Sequence, residues 1–233
     1  MSKLVWDATG DHLYETGISK GVLYVWGTSS YEKGVAWNGL TAVTEKPTGA
    51  DKTSLWADNI KYLNLRAAEE FEGTIEAYTY PDEFMECNGE KDVGSSTKMG
   101  MTVGQQGRKT FALCYRTEVG NDTDGNAHGY KLHIVYGASV SPSERGYETI
   151  NDSPSAITFS WDFSTVPVPF SSTGALASLK PTALVVLDSR TIGSTKMTTI
   201  ENSLYGTDAS GGGSATDPTL LTPDQIYAIV SAT

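Results

Sequence analysis

The alternation of apolar and polar positions is clearest from Thr110 to Tyr136, TFALCYRTEVGNDTDGNAHGYKLHIVY. Phe111, Leu113 and Tyr115 alternate with Ala112, Cys114 and Arg116. Tyr130, Leu132, Ile134 and Tyr136 alternate with Lys131, His133 and Val135. A period of two predicts strands, and the Gly, Asn and Asp between the runs predict a hairpin. Each arm then has one apolar face. A lone strand pair is marginal in water, so other strands must form a second layer over that face.

Towards the N-terminus, HLYETG (His12 to Gly17) and KGVLYVWG (Lys20 to Gly27) read as a strand pair with glycine at the junctions. The polar stretch Glu45 to Thr53, with Pro47 and Gly49, predicts a loop or an extended arm. Leu55 to Leu65 has a mixed pattern, Arg66 to Phe71 fits one helical turn, and alternation returns from Gly73 to Tyr80 with Ile75 and Ala77 on one side. PDEFMEC fits a short helix starting at Pro81, its acids favourably placed at the positive end of the helix dipole. Asn88 to Gly107 and Ser139 to Pro154 read as surface loops.

Ala156 to Ser164 is a strand with Ile157, Phe159, Trp161 and Phe163 on one face. The prolines of VPVPF (Val166 to Phe170) restrict it to an edge or an exit. TALVVL (Thr182 to Leu187) has the continuous apolarity of a strand buried on both sides. Met197, Ile200 and Leu204 recur at helical spacing between Ser194, read as the cap, and Gly206. Thr222, Pro223 and Gln225 form a second helix-start signature, and Ile226, Ile229 and Val230 give that helix an apolar stripe to dock on its own subunit or a neighbour. The glycines before it mark a flexible linker, giving a division into a β domain (1–206), a Gly/Ser linker (207–217) and a C-terminal helical segment (218–233).

Composition narrows the function more than the fold. The 233 residues carry 39% hydrophobic and 19% charged positions and 24 glycines, which fits one β-rich core with many tight turns. A net charge of −11 argues against stable nucleic-acid wrapping, which needs clustered Lys and Arg. The N-terminal residues lack the pattern of a signal peptide, and no apolar run has the length of a bilayer span. Cys87 and Cys114 match no metal-ligand spacing and read as reduced thiols made in the cytosol; whether they pair depends on a distance the sequence does not give.

Candidate chemistry is sparse. GQQGRKT (Gly104 to Thr110) lacks the spacing of a phosphate loop, because Arg108 separates Gly107 from Lys109. NDTDGN (Asn121 to Asn126) lacks the ligand register and terminal Glu of a calcium loop and has what a hairpin turn needs. His12, His128 and His133 stand on separate segments, and there is no nucleophile elbow. Asp82 with Glu86, or Glu70 with Glu72, could be cast as a glycosidase pair, and Phe159, Trp161 and Phe163 as a sugar platform. Helix starts and core burial account for these residues better. No catalytic, cofactor or metal residue is assigned.

Several segments taken together, YETGISKGVLYVW, GVAWNGLTAVTEKPTGA, ADNIKYLNL, AEEFEGTIEAYTYPDEF, GQQGRKTFALCYRTEVGND, GYKLHIVYGASVSPSERGYETINDSPSAITFSWDFST and LTPDQIYAIV, resemble the major tail proteins of siphophages infecting Gram-positive bacteria. The likeness runs in order from about Leu4 to Val230 and departs most over Gly206 to Asp217. It implies a mainly β fold, a two-sheet β-sandwich or squashed barrel of the tail-tube type with a flanking helix and a short C-terminal helix. It also implies a non-enzymatic virion protein, made and assembled in the host cytoplasm, whose hexameric rings stack into the tail tube. Its partners would be its own copies, the tape measure, tail terminator and distal tail proteins, and DNA in transit without specific binding. The polar stretches Lys46, Pro47, Gly49, Asp51, Lys52 and Asn121, Asp122, Asp124, Asn126 are then candidate assembly contacts, or else solvent-facing connectors. The alternative class is a carbohydrate-binding or carbohydrate-active β-sandwich.

Overall fold

The computed structural model describes residues 3–49, 51–94, 98–150, 152, 155–171, 174–209 and 214–232. Strands β1 (Tyr14–Val25), β2 (Val35–Trp37) and β3 (Leu40–Gly49) lead to a hairpin of β4 (Lys52–Ala57) and β5 (Ile60–Arg66), after which β6 (Glu69–Ala77) returns along β3. A one-turn helix α1 (Phe84–Cys87) and the two-residue strands β7 (Lys91–Asp92) and β8 (Thr102–Val103) precede the long central pair, β9 (Phe111–Asn121) and β10 (Gly125–Val140). Strands β11 (Phe159–Thr165) and β12 (Leu184–Asp188) complete the β structure. Helices α2 (Ser189–Ile192), α3 (Ser194–Tyr205) and α4 (Pro223–Ser231) end the chain.

The order β2-β1-β9-β10-β11-β6-β3 forms one antiparallel sheet, with β12 added alongside β10. The fold is mainly β, and its two layers are two halves of this one curled sheet. Leu23, Phe111, Leu113 and Val135 from one half pack with Ile75, Trp161 and Phe163 from the other. Phe84 of α1 joins this core, its ring centroid 4.5 Å from that of Trp37 and 5.0 Å from that of Trp161. Gly137, at φ 62°, marks the irregularity between Val135 and Ala138 where β10 changes neighbour from β12 to β11. A Cβ at Gly137 would run into the Val166 carbonyl oxygen, so both conformation and space require glycine.

The central hairpin lies where its pattern predicts, but it is apolar on both faces. Phe111, Leu113 and Tyr115 face the interior of the curl. Ala112, Cys114, Leu132, Ile134 and Tyr136 lie beneath Met197, Ile200 and Leu204 of α3 and Ile226 of α4. The antiparallel register sets Ile134 opposite Cys114 and Val135 opposite Leu113, so the apolar faces read separately from the two arms point to opposite sides of the sheet. Cys87 and Cys114 accordingly belong to different cores. Both thiols are free, and burial pushes each up to about 12.

Other elements depart from the pattern. The expected N-terminal strand pair is one strand, β1, running on through Gly17 and Lys20 at positive φ while it follows β9 through two register shifts. Arg66 to Phe71 makes no helical turn: Arg66 ends β5, Ala67 and Ala68 link it to β6, and Glu69, Glu70 and Phe71 pair with Gly49, Thr48 and Pro47. The helix at PDEFMEC begins at Phe84, with Pro81 and Asp82 in the preceding turn. Strand β12 is covered on one face only: Leu187 is buried and Val186 exposed. Gly193, not Ser194, stands at the N-cap of α3, whose Met197, Ile200 and Leu204 are buried as predicted.

Helix α4 has the predicted capping box, in which Thr222 Oγ1 accepts from Gln225 N–H and Gln225 Oε1 from Thr222 N–H. It docks on its own subunit. Thr219 N–H donates to Ser203 O, Tyr136 O–H to Leu221 O and Lys196 Nζ to Val230 O. Thr207 and Thr216, in the stretch read as a linker, exchange backbone hydrogen bonds of 3.1 and 3.0 Å. Residues 210–213 of that stretch lie outside the described residues.

Candidate assembly interface

Of the two readings of Glu45 to Thr53, loop or extended arm, the described residues follow the second. Glu45 to Gly49 complete β3, and Lys52 opens β4, so the chain continues outward as a long arm with β4 and β5 at its end. The polarity of the stretch suits a strand here because an edge strand with one solvated face has no need of apolar residues on that face. Pro47 is tolerated since β3 is the last strand of the sheet. Gly49, at φ 83°, takes a backbone form that side chains resist, and a Cβ on it would strike the Ala68 carbonyl oxygen. Lys52 lies opposite Arg66 in the hairpin. Ala50, which joins β3 to Asp51, lies outside the described residues.

The tip turns through Asp58 and Asn59, both at positive φ (51° and 62°), the backbone of a type I′ hairpin. A two-residue Asp-Asn turn between KTSLWA and IKYLNLR was the available sequence signal for this element. The hairpin is unusually apolar for a pair of strands standing off the sheet. Trp56, Ile60 and Tyr62 are each more than 60% exposed, Leu65 is 53% exposed, and Leu55 and Leu63 form an opposed pair at 41% and 38%. Such a ribbon gains little from its own two strands and leaves most of its apolar surface in water.

The second predicted contact segment is occupied within the chain. Asn121 Oδ1 accepts from the N–H groups of Thr123 and Asp124, which shapes the β9–β10 turn. The Asp122 carboxylate accepts from Gly10 N–H at 3.0 Å and lies 3.1 Å from His12 Nδ1, so it anchors the N-terminal segment. Asp124 pairs with His128, and Asn126 accepts from the Tyr14 hydroxyl. These contacts give the four residues a folding role, while Leu4, Val5 and Trp6 upstream remain largely exposed.

Besides the edge of β3, two further open edges and one uncovered face lie at the surface. Among the described residues, β2 pairs only with β1 and β12 only with β10. The outer side of β3, β6 and β11 bears Glu70, Glu72, Glu76 and Asp162, with Lys46 opposite Glu72. Thr74 Oγ1 donates to Asp162 there.

The sites considered for other chemistry do not assemble. Trp161 and Phe163 are 0% and 3% exposed, so the aromatic stripe is core and offers no sugar platform. Asp82 pairs with Lys98, and Glu86 with Lys109. No group of three or more His, Cys, Asp or Glu among the described residues could hold a metal ion. None of the helices described is long and apolar enough to cross a membrane.

No protein-family model matches the sequence, and no curated protein matches it. Among solved structures, a chain of the six-fold symmetrised cryo-EM structure of the anti-feeding prophage baseplate is similar. It shares 7% identity at a TM-score of 0.30, over 79% of this chain and 97% of that one. At that distance no residue role passes from one chain to the other.

Proposed function

We propose that this chain is the structural subunit of a phage tail tube, with copies closing into hexameric rings that stack into a conduit for DNA. The observation that carries the reading is the β4–β5 arm, whose apolar side chains stand in solvent on a ribbon that needs a partner surface. Fully burying one Leu or Ile is worth roughly 1.5–3 kcal/mol, so a few of these side chains buried between copies would drive association. The resemblance of the sequence to siphophage major tail proteins supplies the kind of assembly.

The open edges of β2 and β12 support lateral joining, since an unpaired row of backbone groups is a template for another strand. In this reading the acid-rich face of β3, β6 and β11 lines the passage, because the opposite half of the sheet carries α3 and α4 on its outer side. Carboxylates there would repel the phosphate backbone and let DNA slide. Lys46, Pro47, Asp51 and Lys52 belong to the arm and contribute to contacts between copies. The reading gives the protein no enzymatic role, places it in the virion, and makes the tape measure, tail terminator and distal tail proteins its neighbours.

Negative-stain electron microscopy of the concentrated protein, alone and with the tail initiator complex of its phage, tests the proposal. Six-fold rings or hollow tubes are expected. Monodisperse particles under both conditions would overturn it.

A further inference from the structure

The β4–β5 arm has two unlike faces. Its register sets Leu55 opposite Leu63 and Lys52 opposite Arg66, and beyond the irregularity at Trp56 it sets Trp56 opposite Lys61 and Ala57 opposite Ile60. Side chains alternate along a strand, so Leu55, Ile60, Leu63 and Leu65 share one face and Lys52, Trp56, Lys61 and Arg66 the other. Lys52, Lys61 and Arg66 make no ion pair among the described residues. In a chain of net charge −11, the span from Lys52 to Arg66 holds these three cations against the single carboxylate of Asp58.

The body carries a matching surface at its other end. The arm leaves the β3–β6 ladder where Gly49 meets Glu69, and α1 follows the opposite end, where Leu40 meets Ala77. The two ends are about 30 Å apart along the strands. Beside α1 lies a cleft of about 460 Å³, lined by six carboxylates and two lysines together with Val25, Met85 and Gly94. Three of the carboxylates have a cation close by: Asp82 pairs with Lys98, Glu86 with Lys109 and Glu90 with Arg145. Glu83 has no ion-pair partner among the described residues, and Glu32 has only Lys109, at 3.9 Å. Asp92 accepts from the N–H groups of Gly94, Met99 and Gly100, which shapes the β7–β8 ribbon at the rim of the cleft. On that ribbon Met99 and Met101 are 72% and 61% exposed, with Val93 exposed beside them.

We infer that this end of the body receives the arm of a second copy. The leucine face of the arm lies on Val93, Met99 and Met101, whose flexible methionine side chains adapt to the shape laid on them. The cationic face turns to the acidic wall, where Lys61, near the tip, meets Glu83 and Glu32. Both surfaces are exposed and apolar in part, and their charges are opposite, so each supplies what the other lacks. Because the contact joins one end of a copy to the other end of the next, it has no two-fold stop and repeats into a stack. The inference rests on the tail-subunit reading and adds to it the surface on which the arm lands.

Disulfide trapping tests it. Single variants Tyr62→Cys on the arm and Met99→Cys on the ribbon are mixed, assembled and oxidised, the native thiols being buried and free. Docking predicts linked dimers in the mixture and in neither variant alone, and a ladder of multimers from the chain carrying both substitutions. Tubes without mixed dimers overturn the docking and leave the tail reading standing. Mixed dimers from material that forms neither rings nor tubes keep the docking and overturn the tail reading; neither dimers nor assemblies, from these variants and from the unsubstituted protein alike, overturn both. Charge exchange decides the case in which only the cysteine variants fail to assemble. Lys61→Glu and Glu83→Lys are each expected to lower the yield of sedimentable tubes about tenfold or more at low salt, and the chain carrying both to recover it. An unchanged yield in the single variants, or no recovery in the double one, overturns the docking.

Discussion

Leu55 and Leu63 face each other across the β4–β5 hairpin, and neither is buried by its own chain. In the proposed assembly this pair is covered by a neighbouring copy. Leu63→Lys should leave the unfolding midpoint of the monomer almost unchanged, because a substitution at an exposed site is worth within about 0.5 kcal/mol. It should abolish rings and tubes in the electron microscope. Intact tubes from this variant would exclude the pair from the interface.

Trp161, fully buried among Trp37, Tyr80, Phe84 and Phe159, should behave in the opposite way. Trp161→Ala is expected to cost about 3–5 kcal/mol in denaturant unfolding, the range for emptying an aromatic site. Thr222→Ala removes the capping-box acceptor of α4 and should cost about 1 kcal/mol. A Trp161→Ala cost no larger than that of Thr222→Ala would show that the aromatic cluster is not the centre of the core.

The N-terminal segment should be held most tightly in mildly acidic solution. The Gly10 N–H and the His12 imidazole hold the Asp122 carboxyl below its ordinary value of 3.8, and Asp122 in turn raises His12 above 6.5. The Asp122 contribution is present above 3.8 and fades as pH falls through its depressed value. The His12 contribution is full below 6.5 and fades as pH rises through its raised value. The protection factor of the Gly10 amide, corrected for intrinsic exchange, should therefore peak between these limits. A flat profile would mean that the pair does not hold the segment.

How legible this was in the sequence depended on how local the cause was. Met197, Ile200 and Leu204 announce α3 by spacing alone, and Thr222 with Gln225 announce α4, because both signals sit within a few residues. The two-sided burial of β9 and β10 was hidden, since Ala112 and Cys114 are small enough to pass for the polar phase of an alternating strand. The arm was legible only as an alternative to a loop: its polar root belongs to an edge strand, and the decisive Asp58-Asn59 turn uses neither glycine nor proline. The contact between Glu45 and His133 could not be read at all. Glu45 and His133 lie 88 residues apart and meet only because the sheet curls.

The acid-rich face makes a prediction about DNA. Tubes of the unaltered protein should not retain short duplex DNA at low salt. Tubes carrying Glu72→Lys, Glu76→Lys and Asp162→Lys should retain it, and release it as salt is added and counterion exchange loses its advantage. Equal retention by both, measured by co-sedimentation, would mean that this face does not line the passage.

The most direct test of the account is site-specific photo-cross-linking from the arm. A photoreactive phenylalanine analogue in place of Tyr62, which is 68% exposed in the single chain, is placed in assembled tubes and illuminated. The account predicts a ladder of cross-linked multimers whose junctions map to another copy of this chain. Tubes that assemble normally and yield only monomer after illumination would contradict it.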